Sequence, residues 1–358
     1  MQASSQKPLT SLNEFLQPID PNSFAFCPPM ASSSSNVPTA PRDLSTAVLI
    51  RVDHSGKGDH TRIQDAINSV PSHSSELYFI WVKPGIYREK IVVPADKPYI
   101  TISGTRKATT VITWGGGGEI FESPTLSVLA SDFVGRYLSI RNAYGSRAHT
   151  KAVALRVSAD RAAFYGCRIQ SYQDTLLDDI GRHYYKYCYI EGAIDFICGS
   201  ATSLFEKCHL HSVAEGFTGT ITAQNRKSES ENSAFVFLDC RITGTGSAFL
   251  GRPWGAYSRV VFAYTYMSQV VTPQGWDNWD EPSKERTVYY GEHKCFGPGA
   301  KRTRRVAWSQ NLTSDEAAPF LTTNLIGGRG WLRPTPKHFK TPTSSTTVPA
   351  KKMINSKL

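Results

Sequence analysis

The stretch Phe164-Tyr165-Gly166-Cys167-Arg168-Ile169 decides the fold, because its pattern returns three more times. Phe164-x-x-Cys167-x-Ile169 recurs as Tyr185-x-x-Cys188-x-Ile190, Phe205-x-x-Cys208-x-Leu210 and Phe237-x-x-Cys240-x-Ile242. The cysteines step by 21, 20 and then 32 residues. A steady period of that size marks a solenoid, each turn burying its apolar residues against the turns on either side. One short strand at each beat suits a coil of a right-handed parallel β-helix, the longest step carrying an inserted loop. The expected class is therefore all-β, with long loops on one side. Like side chains then stack in ladders at about 4.8 Å.

Outward from the repeat, short apolar or alternating runs dominate: Leu77–Val82, Ile91–Val93, Tyr99–Ser103, Val111–Thr113 and Ala152–Val157. Only Thr61–Val70 reads as an amphipathic helix, with Ile63, Ala66, Ile67 and Val70 on one face. The repeat cysteines are expected as an internal ladder of small buried residues. Cys27, Cys198 and Cys295 complete a set of seven. That odd number, with no Cys-x-x-Cys pair, fits neither a fully paired disulfide framework nor a zinc site.

The net charge of +10 favours an acidic partner such as nucleic acid, anionic lipid or an anionic polysaccharide. No apolar run approaches the ~18 residues of a membrane span, and no recognition helix or aromatic RNA-binding motif appears. Neither a membrane nor a nucleic-acid partner is expected. Met1–Asp43 is rich in Ser and Pro and lacks the apolar run of a signal peptide. Residues 1–47 are expected to be disordered, 48–334 to form the folded domain, and 335–358 to be a flexible basic tail.

The chemistry lies on one stripe of the repeat. Seven residues beyond Cys167 stands Asp174, and seven beyond Cys188 stands Asp195. The two occupy the same phase of adjacent coils and should sit side by side. Two close carboxylates do not both ionise cheaply, so one becomes a proton donor and the other a nucleophile. Capping of turn backbone is the plainer role for such residues. Gln173, beside Asp174, offers an amide to a developing oxyanion. Leu250-Gly251-Arg252-Pro253-Trp254 adds a guanidinium that can fix a carboxylate and a flat ring that can carry a sugar.

These segments resemble the signature blocks of the plant pectinesterases (pectin methylesterases). Gln173–Leu176, Asp195–Gly199 and Leu250–Trp254 carry the likeness, with Gly85–Lys90, Lys151–Leu155, Gly275-Trp276 and Gly327–Leu332. The resemblance covers residues 48 to 334 and implies a β-helical enzyme that demethylates pectin. By it, Asp195 attacks the ester carbonyl and Asp174 is acid and then base. Gln173 binds the oxyanion and Arg252 orients Asp195. Trp254, Trp276 and Phe196 line the sugar cleft. It also implies no metal or organic cofactor, a monomer, a proteinaceous inhibitor as a possible partner, and an extracellular, cell-wall location. No inhibitor-like helical pro-region is expected in the N-terminal segment.

Two positions depart from the family pattern. Lys151 stands where the family has a glutamine that helps bind the oxyanion. Its ammonium either strengthens that site or pairs with Asp174 and holds it ionised. Cys198 stands where the family usually has Phe, and is expected to alter packing beneath Asp195.

Two rival readings follow. One is a catalytically impaired wall protein that binds pectin in the same groove. The other is a polygalacturonase or pectate lyase. Adjacent stacking leaves no room for the water an inverting glycosidase needs between its carboxylates. The Gly-His-Gly element of polygalacturonases and the calcium-binding acidic cluster of lyases are also missing.

Among the remaining features, Gly115–Gly118 reads as a turn and not a phosphate loop. Lys301–Arg305 reads as a solvated face or a patch attracting pectate. His183, His209 and His211 read as turn or surface residues. Asn311-Leu312-Thr313 is a glycosylation sequon.

Overall fold

Arg168-Ile169-Gln170, Tyr189-Ile190-Glu191 and His209-Leu210-His211 alternate polar and apolar residues with the period of a strand that has one face inward. In the computed structural model these three runs pair in parallel, Ile169 beside Ile190 beside Leu210, all buried. The structure describes residues 43–105, 109–144 and 150–342. They lie in one unit, Thr39–Leu358. Their strands form three parallel sheets of twelve, seven and eight strands, here called the first, second and third. Each coil visits the third, second and first in turn, as in Arg168–Gln170, Leu176–Ile180 and Arg182–Lys186. This is the right-handed parallel β-helix anticipated from the repeat.

The inner ladders give the core its order. Phe164, Tyr185, Phe205, Phe237 and Phe262 stack ring on ring, with centroids 4.5–5.2 Å apart. Offset pairs of this kind add roughly 0.5–1.5 kcal/mol each beyond the area they bury. Cys167, Cys188, Cys208 and Cys240 form the expected ladder as free, buried thiols. Burial drives the thiols of Cys167, Cys188 and Cys208 well above the ordinary range, which makes them poor nucleophiles. Before each repeat cysteine the chain turns through one left-handed residue: Gly166, Tyr187, Lys207 and Asp239, with φ of 53–60°.

The helix runs from Ile63 to Ser69, with Ile63, Ala66 and Ile67 buried. The outer face of the first sheet is covered by the C-terminal segment. Leu312, Ala317, Phe320, Ile326 and Trp331 pack there on Tyr184, Leu204, Val236 and Val261.

Several expectations need correction. The folded region begins at the strand Thr46–Val52 and extends to His338–Lys340, which pairs beside it, so the basic tail starts later than residue 335. Residues 1–42, including Cys27, and 343–358 lie outside the described residues. Lys301–Arg305 is not simply a solvated face. Arg302 and Arg305 bind the buried carboxylate of Glu292 at 2.6 and 2.9 Å. His183 is wholly buried, held between Asp178 Oδ1 at 2.6 Å and the carbonyl of Ala159 at 2.7 Å. His209 and His211 lie half-buried on the strand His209–Ser212. Gly115–Gly118 is irregular, as expected, and the Gly118 amide donates to the Lys151 carbonyl at 3.1 Å.

Candidate active site

The site forms where the third sheet gives way to the second. Lys151 bridges to Gln173 and Gln173 to Ile194, so three successive coils are aligned at this corner. Asp174 and Asp195 follow directly, both in left-handed conformation with φ of 57° and 47°. Non-glycine residues adopt this region at a cost, and here it recurs at the same corner of two successive coils, as it does at the turns before the repeat cysteines. Gly199, closing the Asp195 block, has φ of +125°, and a Cβ there would lie 2.1 Å from the Asp178 carbonyl oxygen. Only glycine fits that exit turn.

Past the corner the second sheet carries two rows. Leu155, Leu176, Ile197, Thr222, Gly251 and Trp276 are paired in sequence and face the core. Arg156, Leu177, Cys198, Ala223 and Arg252 form the neighbouring row, facing outward. Arg252 starts two strands beyond Asp195's coil, roughly 9.6 Å away along the stack. Its guanidinium nevertheless reaches back to Asp195, Nε to Oδ1 at 2.8 Å and Nη2 to Oδ2 at 2.6 Å. The small residues Cys198 and Ala223 occupy the intervening row positions and leave it room. Trp279 covers the guanidinium from the other side, 3.8 Å from its ring centroid.

The two aspartates are equally buried and differently served. Both oxygens of Asp195 accept from Arg252, the geometry of a carboxylate matched to a fork. Neither oxygen of Asp174 has a hydrogen-bond partner among the described residues. Burial, and next the charge of Asp195, push the Asp174 carboxyl well above its ordinary 3.8, while Lys151 and Arg252 pull the other way. Burial opposes the charge on Arg252, but Asp195 more than offsets it and raises the guanidinium's pKa. Lys151 makes no ion pair with Asp174 among the described residues, and its charge offsets part of the upward shift.

The half-exposed Gln173 and Lys151 side chains make no hydrogen bond among the described residues. Trp254, also half-exposed, packs with Phe121 and Trp279 on a wall of Ile120, Val153, Leu177, Cys198 and Ala223. Lys284 fixes this loop by donating to the carbonyls of Pro253 and Trp254 at 3.0 and 3.3 Å.

Two residues expected in the cleft lie elsewhere. Trp276 is 1% exposed and stacks on Tyr290 at 4.3 Å inside the coil. It sits at the end of the inward row, where Gly251 leaves space for its ring. Phe196 is fully buried, because the residue after left-handed Asp195 turns into the core. Neither ring presents a face to a sugar. Cys198 is buried in the wall beside the carboxylates. Trp279, Phe121 and Ala223 were not anticipated; the second tryptophan of Trp276-x-x-Trp279 was the available signal.

The family pattern described as "Pectinesterase" matches residues 49–329. "Putative pectinesterase 11" of Arabidopsis thaliana is 63% identical over 83% of this chain and 84% of its own length. "Pectinesterase QRT1" of the same plant is 41% identical over 80% of this chain and 79% of its own. The solved structure of a pectin methylesterase from carrot superposes with a TM-score of 0.76 at 33% identity, covering 84% of this chain and 97% of its own. A coil stack, an aligned carboxylate pair and these likenesses agree: the chain belongs to the pectinesterase family.

Proposed function

We propose that this pectinesterase demethylates homogalacturonan through an acyl-enzyme on Asp195, acting on pectin in the cell wall. The observation that carries the proposal is the unequal service of the two carboxylates. Arg252 clamps both oxygens of Asp195, and the buried Asp174 has no hydrogen-bond partner among the described residues.

In the first step Asp195 attacks the methyl-ester carbonyl, and Gln173 and Lys151 stabilise the oxyanion. The tetrahedral species collapses to an anhydride, and methoxide leaves with the proton of Asp174 as methanol. Asp174 is now the carboxylate and acylated Asp195 is neutral. The pair therefore carries one negative charge before and after, beside the same Lys151 and Arg252. In the second step Asp174 takes a proton from water, which opens the anhydride and restores Asp195. Ester and water have become acid and methanol.

Trp254, with Phe121 and Trp279, forms the apolar border on which the sugar rings rest. A related solved structure is titled "Crystal structure of pectin methylesterase in complex with hexasaccharide VII". One coil stack supplies every residue named, so a monomer suffices.

The test is methanol release from highly methyl-esterified homogalacturonan at constant chain length. Release without chain shortening is expected. Binding without release would instead mark an impaired wall-binding protein, and Lys151→Gln would then show whether Lys151 is the cause.

A further inference from the structure

The three outer faces of the coil stack are used differently. The first sheet's is covered by the C-terminal segment, and the second sheet's carries the wall beside the carboxylate pair. Along the third sheet's outer face, side chains from Arg168 to Phe296 are half-exposed or exposed. Along it, one residue from each coil forms a paired row: Arg168, Tyr189, His209, Arg241, Tyr266 and Phe296. Arg241 and Phe296 are exposed and the other four half-exposed.

Cations and flat rings interleave in this row. The Arg168 guanidinium lies 4.2 Å from the centroid of the Tyr189 ring, and that ring stacks on His211 at 5.9 Å. The acidic member of the face, Glu191, already accepts from Tyr189 Oη at 2.5 Å and Gln170 Nε2 at 3.2 Å. Burial, then Arg241, His211 and Arg168, lower His209 to about 4, a sign of the positive field along the row.

We propose that this face binds demethylated homogalacturonan, a polyanion of flat sugar rings, as a second site distinct from the reaction corner. Guanidinium groups meet the carboxylates, and the tyrosine and phenylalanine rings meet the apolar faces of the sugars. The row's spacing is that of strands, about 4.8 Å, close to the size of one pyranose ring. It runs along the coil axis, parallel to the line of Lys151, Gln173 and Ile194, so the polymer leaving the corner has a path beside it. The choice of polymer rests on the demethylation reading; the face itself does not.

The experiment uses fully de-esterified polygalacturonate, which is not a substrate, and the full-length chain. Wild-type protein should bind it, and the double variant Arg168→Gln/Arg241→Gln should bind on the order of tenfold more weakly. Hydroxyl-radical footprinting of the wild type should show Tyr189, Tyr266 and Phe296 protected by the polymer, and it decides the matter even if the variant fails to fold. Unchanged affinity in a folded variant would overturn the proposal, as would protection confined to Trp254 and Trp279. Binding to phosphatidylserine vesicles but not to polygalacturonate would also overturn it. Methanol release by the wild type is measured separately, so failure of the esterase reading is distinguishable from failure of this one.

Discussion

Asp174 and Asp195 share residue type, backbone conformation and burial, yet their chemistry differs because of what reaches them. Arg252 spans two coils to bond Asp195, while Asp174 has no hydrogen-bond partner among the described residues. A buried acid raised above its unfolded value has a readable sign in stability. Between 3.8 and its raised native value, Asp174 is protonated when folded and ionised when unfolded, so stability falls as pH rises through that window. Asp174→Asn removes this penalty. The variant should lose methanol release by roughly 10²–10⁴-fold and yet resist urea better than wild type. The gain should grow as pH rises above 4 and vanish below it. Parallel urea titrations of the two proteins across pH check this.

Lys151 supplies a second residue-scale prediction. Its charge lowers the pKa of Asp174, so Lys151→Gln should raise it further. In the proposed mechanism Asp174 must be protonated in the first step, so activity should fall as pH rises through its pKa. The alkaline limb of the kcat/KM profile should therefore move to higher pH in Lys151→Gln. An unmoved limb would remove Lys151 from the site's electrostatics.

At the scale of the element, function depends on the outward row of the second sheet. The Arg252 side chain lies across Ala223 and Cys198, and the wall above them is filled by Trp254 and Trp279. Ala223→Leu places a branched side chain in that path. Arg252 should then lose its hold on Asp195, and kcat/KM should fall about 10²-fold, the usual consequence of an ångström of misplacement. Substrate affinity and the melting transition should change much less. A crystal structure of the variant with the Arg252–Asp195 pair intact would remove the explanation.

This scale also shows how much was legible beforehand. The repeat of aromatic, cysteine and aliphatic residues predicts the coil, the cysteine ladder and the adjacency of the aspartates, because stacking follows directly from period. It does not give the direction of a ring beside a turn. Phe196 and Trp276 belong to motifs that sound like a sugar cleft, but Trp276 continues the inward row through Gly251. Trp279, from a loop of Asp and Asn residues, carries no period and was missed. The buried set of Asp178, His183, Tyr185 and Ser203 was missed for the opposite reason: polar residues inside a coil run against binary patterning. Asp178 accepts from all three of the others.

Taken as a whole molecule, the chain is one scaffold with three unequal faces. A β-helix needs no domain closure to assemble a site, because each coil delivers its residue at a fixed offset from the last. The corner between the third and second sheets gathers Lys151, Gln173, Asp174 and Asp195 from successive coils, and Arg252 from farther along. The net charge of +10 suits a polymer that becomes more acidic with every turnover.

The central claim is that Asp195 is the nucleophile, and its covalent state during turnover tests this most directly. Methyl-esterified oligogalacturonide is turned over with hydroxylamine present, the reaction is quenched in acid, and the Asp195 peptide is read by mass spectrometry. The account predicts a galacturonyl or hydroxamate adduct on Asp195 that accumulates with methanol and is absent without substrate. Methanol released at full rate with an unmodified Asp195 peptide and no galacturonyl hydroxamate would contradict it.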